Sequence, residues 1–211
     1  MSGTATPTSP NTTYLGSNPG LDRLLDNVQV EVPAVTVSVI QMEAWNAIED
    51  FYIQSSWRRE LVYWTMAVGV TEIDFNPFDE NYLVSWVLDV SGLIRYKVTP
   101  LALLTDLQPA QAIRNGQVLL GLKPVSFAAI TTNGVGPELW SMWFETLRSG
   151  VLSRIYAMPA KPWSSPQLAQ FHARTFNAGI VKARGIADGN FNGGQGGRWT
   201  FPSFANGRRK N

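Results

Sequence analysis

Prolines in the second half of the chain fix where its helices can begin and end. Pro137 and Pro166 each precede a run of apolar residues at helical spacing, and the first position of a helix is where proline is best tolerated. The first run keeps one apolar face until Pro159 ends it. The sequence therefore predicts two consecutive helices, the second continuing from Pro166 until glycines become frequent at Gly185.

An amphipathic pattern earlier in the chain predicts one more helix. Pro33 disfavours helix just upstream, and the capping-box spacing of Ser38 and Gln41 places the start near Thr36 to Ser38. Apolar residues then recur at helical spacing, with charged residues opposite them. The pattern ends near Trp57, which completes a predicted set of three helices.

Between these helical segments the pattern changes to the alternation that is typical of β-strands. Apolar residues alternate from Tyr82 to Val90, which predicts one clear strand. Turn residues separate it from further predicted strands over residues 93–99, 117–122 and 125–130. The middle of the chain therefore predicts an antiparallel β subdomain over residues 61–135.

The two ends of the chain differ in composition from its middle. Residues 1–33 begin with Ser, Thr, Pro, Asn and Gly, which bury too little apolar surface to offset the entropy of ordering. We therefore predict a flexible N-terminal arm over residues 1–33, with Leu21, Leu24 and Leu25 as its first anchors. Residues 189–211 are rich in glycine and basic residues and show no helical or strand spacing, which predicts an extended C-terminal tail.

Together these segments predict an α+β fold. The length of 211 residues fits one substantial domain. In it, residues 34–60 and 136–188 form a helical bundle into which the antiparallel β subdomain is inserted, and the C-terminal tail extends from it. Only 16% of the residues are charged, while the chain contains 8 Trp, 10 Phe and 6 Tyr, so we expect part of this apolar surface to be buried against partners.

The composition excludes several classes of site. The chain has no cysteine and one histidine, His172, which removes disulfides, thiolate metal sites and histidine clusters. Gly116 and Gly121 have the glycine spacing of a phosphate-binding loop without its Lys-Ser/Thr pair, so we expect a hairpin with a glycine kink. No apolar run approaches the length of a membrane span. We therefore predict no enzyme activity, cofactor, bound metal or membrane contact.

The C-terminal tail is the strongest candidate for a binding segment. From Val181 onward the chain has six basic residues and one acid, and the tail adds aromatic residues of the kind that anchor interfaces. Such a segment is typical of chains that fold on a partner. Binding of nucleic acid by this basic tail is an alternative, and carbohydrate binding by the Trp-rich strands is a more remote one. The candidate binding residues are Arg198, Trp199, Phe201, Phe204, Arg208, Arg209 and Lys210.

Several fragments, taken in order, carry a family resemblance that covers residues 36–188. They are the helix Ile40–Phe51 with the Gln54-Ser55-Ser56-Trp57 that follows it, then Thr71-Glu72-Ile73-Asp74-Phe75-Asn76-Pro77, Glu138-Leu139-Trp140, Gly150–Tyr156, Met158–Ser164 and Phe176–Arg184. Their order and spacing resemble the head-to-tail adaptor family of tailed bacteriophages. These are the upper tail tubular proteins that sit beneath the portal of short-tailed viruses.

The resemblance implies a structural protein of the virion neck and tail, assembled in the host cytoplasm. It implies a ring of twelve copies that joins the portal protein to downstream nozzle or tail-tube proteins. The ring would line the passage of the genome and contact the DNA without reading its sequence. In the family the C-terminal extension reaches into the portal, so the seven candidate residues of the tail become the expected portal-binding residues. The glycine-rich form of this extension departs from the family pattern.

Overall fold

The computed structural model describes the helices and part of the β region. The described residues are 18–66, 72–74, 82–90, 97–98, 102–104, 114–126, 130 and 137–191. The helices are α1 (Pro19–Glu31), α2 (Val37–Ser55), α3 (Pro137–Ala157) and α4 (Pro166–Phe191). Three of them, α1, α3 and α4, begin with a proline, whose missing N–H is one that a helix leaves unbonded at its first turn. The predicted starts of α3 and α4 are confirmed.

The strands between α2 and α3 form two antiparallel sheets. They are β1 (Arg58–Met66), β2 (Glu72–Asp74), β3 (Tyr82–Val90), β4 (Lys97–Val98), β5 (Ala102–Leu104) and β6 (Arg114–Pro124). The larger sheet has the order β1-β6-β3, and the smaller one has the order β2-β5-β4. Two register shifts against β6 bulge β3, one between Val84 and Trp86 and one between Val87 and Asp89. In the larger sheet β6 is the central strand, and β1 and β3 lie on either side of it.

One hydrophobic core joins the helices to the larger sheet. Phe51 of α2 and Leu147 of α3 are fully buried, as are Leu120 and Leu122 on the central strand β6. Alternation along β6 places these two leucines on the same face, toward the helices. The larger sheet is thus part of the same core, and the structure is an α+β fold in which antiparallel strands are inserted into a helical bundle.

The structure corrects the predicted flexible arm over residues 1–33, because residues 19–31 form α1. The side-chain oxygen of Asn18 accepts a hydrogen bond from the backbone N–H of Gly20 at 3.1 Å, and its Nδ2 donates to the carbonyl of Ile130 at 2.8 Å. The arm prediction is wrong here because an apolar stripe at helical spacing buries enough surface to order the segment. The buried stripe consists of Leu21, Leu24, Leu25 and Val28. Residues 1–17 lie outside the described part.

Helix α2 begins where the sequence predicts, but for a different reason. Its N-cap is Thr36, whose side chain makes no capping hydrogen bond, and Ser38 lies inside the first turn. The hydroxyls of Thr36 and Ser38 instead approach each other at 3.3 Å. The capping-box interpretation is therefore wrong, and burial of one face of α2 accounts for the helix.

The two glycines that predicted a hairpin lie inside a single strand. Gly116 and Gly121 both belong to β6, which is continuous to Pro124, and Ile130 is helical rather than extended. At Gly121 a Cβ atom would lie 3.4 Å from the side-chain oxygens of Ser56 and Ser85, so glycine lets the turn after α2 approach the sheet closely. The predicted kink is therefore wrong, and residues 125, 126 and 130 of the predicted strand are not extended; residues 127–129 lie outside the described part.

Helix α4 continues beyond the predicted start of the glycine-rich hinge. It passes through Gly185 and Gly189 to Phe191, because its last turns are held by tertiary contacts. Ala187 is buried, and Asp188 accepts a hydrogen bond from Arg59 of β1 at 2.5 Å. The predicted tail over residues 189–211 therefore begins three residues too early.

Candidate interaction surfaces

The seven predicted portal-binding residues lie outside the described part of the chain. Arg198, Trp199, Phe201, Phe204, Arg208, Arg209 and Lys210 all follow Phe191, the last described residue. The structure therefore places the point from which they extend, namely the end of α4.

A groove lies between the end of α2, strand β3 and α4, and we call it the α4 groove. It has a volume of about 570 Å³. Its walls are mostly apolar, and one cation, Arg184, lies at their edge. This composition suits a site that binds an apolar side chain next to an acid. The lining residues are Ile53, Gln54, Ser56, Trp86, Val87, Leu88, Ile180, Val181 and Arg184.

Trp86 is fixed in place although half of its side chain is exposed. Its Nε1 donates a hydrogen bond to the carbonyl of Ile53 at 2.9 Å, which satisfies one of the carbonyls left unbonded at the end of α2. Trp86 is 53% exposed and Val181, on the opposite wall, is 71% exposed. A positioned aromatic ring beside an exposed valine is typical of an interface anchor that has no partner within its own chain.

Several cations of the described part are paired with acids on other elements. Four such pairs link the body together: Arg59 with Asp188 of α4, Lys123 with Glu49 of α2, Arg148 with Glu31 of α1, and Arg154 with Asp50 of α2. Arg174, Lys182 and Arg184 are exposed and have no ion pair with any described residue. All three belong to α4, where Lys182 is nearly opposite Arg184 around the helix.

The exposed side of α1 carries two acids and an apolar side chain. Asp26 is exposed, Asp22 lies one turn before it, and Val30 lies one turn after it with 83% of its side chain exposed. Burial raises the pKa of Asp22, and the negative charge of Asp26 raises it further. The two carboxylates therefore repel each other on a surface that also shows an apolar side chain to solvent.

A polar cluster joins α1, α3 and α4 at the buried His172. Glu31 accepts hydrogen bonds from Arg148 and from the Tyr156 hydroxyl, the latter at 3.3 Å, and its Oε1 lies 3.7 Å from His172 Nε2. The rings of Tyr156 and His172 stack with centroids 5.7 Å apart. Sequence reasoning found no acid for His172, because Glu31 comes from a segment predicted to be flexible. The stacked and paired environment indicates a structural histidine.

The same cluster predicts how stability depends on pH. Burial lowers the pKa of His172, against a smaller opposing effect of Glu31. The folded state therefore binds fewer protons at His172 than the unfolded state does. The stability that neutral His172 contributes is complete above the unfolded pKa of about 6.5, and it is lost as the pH falls through the lowered pKa of the folded state. We expect the free energy of unfolding to fall toward acid, by at most about 1.4 kcal/mol per pH unit for one proton.

The test is denaturant unfolding between pH 7.5 and pH 4.5 for the wild type and for His172→Phe. Phenylalanine keeps a ring for stacking on Tyr156 and removes the titrating group, and His172 is the only histidine. We expect the slope just below neutral pH to be smaller in the variant. Equal slopes for the two proteins would contradict the role given to His172.

Two kinds of feature are absent from the described residues. Within these ranges, no group of three or more His, Asp or Glu side chains is arranged to hold a metal ion. No helix of this part combines the length and apolarity needed to cross a bilayer.

The comparisons with known proteins add no relative to this description. No family model matches the chain, and no curated protein matches it either. The functional interpretation therefore rests on the residues of this chain and on the surfaces that they form.

Proposed function

We propose that this protein is a structural head-to-tail adaptor of a short-tailed bacteriophage. In this proposal copies of the chain form a ring beneath the portal, and the C-terminal tail binds the portal protein. The other side of the ring receives downstream tail proteins, and the genome passes through its centre. The protein works by binding alone and catalyses no reaction, and its place is the neck of the virion.

The observation that carries the proposal is apolar surface exposed at the α4 groove and on two other elements. Val30 of α1, Tyr63 of β1, Trp86 of β3 and Val181 of α4 are each at least half exposed, although the core is already complete. A contiguous exposed apolar patch such as the α4 groove marks an interaction site, whereas a single exposed apolar side chain is ordinary. A ring protein needs at least two interaction sites per copy, because each copy contacts a neighbour through two different patches.

The position of the tail supports the portal contact. Helix α4 is held to the body by the buried Arg59, whose guanidinium binds Asp188 one turn before the helix ends at Phe191. Twenty residues follow, and they contain Trp199, Phe201 and the basic residues predicted to bind the portal. A binding segment fixed at its base and repeated around a ring gains from high effective concentration once the first copies bind.

The proposal is tested by mixing the purified protein with portal rings. The full chain is expected to form a stoichiometric ring complex, and deletion of residues 193–211 to abolish it without changing thermal stability, because α4 is left whole. Trp199→Ala and Phe201→Ala are each expected to weaken portal binding by about 1–4 kcal/mol, measured by titration calorimetry. Undiminished binding by the truncated chain would overturn the portal contact.

The unpaired cations of α4 favour nucleic-acid binding as the second candidate function. Arg174, Lys182 and Arg184 are exposed, and the basic tail follows them. A protein with this function would bind free DNA with an affinity that falls steeply as salt rises, and the isolated tail peptide would keep much of it. An adaptor would show stoichiometric binding to the portal at a salt concentration where DNA binding is lost.

A further inference from the structure

Helices α1 and α4 present separate surfaces, because no residue that lines the α4 groove belongs to α1. Helix α3 packs between them: Trp140 and Phe144 face α1, where they contact Gly20 and Arg23, while Thr146 and Gly150 face α4. At 100° per residue, the mean directions of these two sets around α3 differ by about 120°. A contact between α1 of one copy and α4 of another therefore uses two different surfaces, as a head-to-tail ring requires.

The two surfaces match in charge. The α1 side carries Asp22 and Asp26 close together, and the α4 side carries Arg184 with no acid paired to it among the described residues. An acid of one copy that faces a cation of the next gives an attraction between copies. The net charge of α1 is negative, since Arg23 is its only cation against three acids.

The two surfaces also match in their apolar parts. Val30 is 83% exposed on α1, and it lies one turn from Asp26 on the same side of the helix. The α4 groove offers Trp86 and Val181 beside Arg184. Asp26 and Val30 are one turn apart, and so are Arg184 and Val181, so an acid and a valine on one copy can meet a cation and an apolar wall on the next.

We propose that the α1 side of one copy docks into the α4 groove of the next copy, with Val30 against Trp86 and Val181 and with Asp26 facing Arg184. This contact rests on the proposed function, since it is the joint between neighbours in the adaptor ring. It commits the groove to a second copy of this chain, and it leaves the C-terminal tail free for the portal. Arg174 and Lys182 take no part in it.

Charge reversal on each side tests the contact. Arg184→Glu places two acids opposite each other, and Asp26→Lys places two cations opposite each other. Each variant alone is expected to raise the concentration needed for assembly by at least about tenfold, measured by sedimentation velocity with and without portal rings. Lys182→Glu is the matched control: it makes the same charge change two residues away on α4, nearly opposite around the helix, and should assemble like the wild type.

A mixture of the two variants gives the sharper result. Every contact in which the two variants alternate is either the original pair or the reversed pair, so an equal mixture is expected to assemble again. Native mass spectrometry should then find equal numbers of the two chains in each ring. Because strict alternation requires an even number of copies, a ring with an odd number could not be rescued in this way.

The outcomes separate this contact from the adaptor function. If both variants assemble as efficiently as the wild type, the α1-to-groove contact is overturned, while the adaptor proposal still stands. Loss of assembly in the single variants with no recovery in the mixture also overturns the pairing of Asp26 with Arg184. A wild-type chain that stays monomeric both alone and with portal rings overturns the adaptor function, and the contact with it.

Discussion

The variant Phe51→Ala is expected to lose about 3–5 kcal/mol of the free energy of unfolding. Phe51 is fully buried on α2, and its ring lies 5.6 Å from the ring of Trp143 on α3. Truncation to alanine removes this contact and leaves a cavity at the centre of the core, which α2 and α3 cannot close without separating from the sheet. A loss of this size is a large part of the stability of an ordinary domain.

Chemical denaturation measures this effect, and Phe171→Ala is its matched control. Phe171 is the same residue type on a helix but is 62% exposed, and its main contact is the edge of the His172 ring. We expect this substitution to cost about 1 kcal/mol or less. Equal losses in the two variants would mean that Phe51 is not at the centre of the core.

The second large effect is expected from Gly179→Ala, where α4 passes closest to α3. A Cβ atom at this position would overlap the Cγ2 and Oγ1 atoms of Thr146 and would lie 2.9 Å from its Cβ. Rotation of the threonine cannot relieve the last contact, because Cβ is fixed to the backbone of α3. The helices must move apart, and we expect a loss of about 1–3 kcal/mol even though alanine favours the helix.

The same substitution at Gly185, six residues later, is expected to change the stability in the opposite direction. Gly185 is on the same helix, and a Cβ atom there would have nothing within 4 Å. Gly185→Ala is therefore expected to stabilise the protein by roughly 0.5–1 kcal/mol, because alanine loses less conformational freedom in a helix than glycine. Thermal unfolding of the two variants side by side checks both signs. Stabilisation by Gly179→Ala would show that α3 and α4 are not in such close contact.

The parts of the fold that follow from local chemistry could be predicted from the sequence. Pro137 and Pro166 mark helix starts through their own geometry, and both predictions are confirmed. The same signal stands at Asn18-Pro19, followed by leucines at helical spacing, but the polar composition before it led to the prediction of an arm. The bulges of β3 and the single long strand β6 depend on neighbouring strands, and one sequence does not show which strands are neighbours.

The interaction surfaces were harder to predict than the helices. The α4 groove is built from three elements far apart in the chain, and Trp86 was expected on a strand face without its contact to Ile53. The exposed state of Val30 and Val181 depends on how α1 and α4 pack, which their spacing alone does not decide. The portal-binding residues of the tail stay a prediction from composition and resemblance, since they lie outside the described part.

The cap of α1 depends on a residue that the ribosome makes much later. Asn18 at the start of α1 donates to the carbonyl of Ile130, which is 112 residues further along the chain. At a translation rate of about 5–20 residues per second, the partner of this amide is made about 6–22 seconds later. The buried side of α1 waits longer still, because it packs on α3. Helix α1 therefore becomes native only after α3 has been translated, and until then its leucines are open to chaperones.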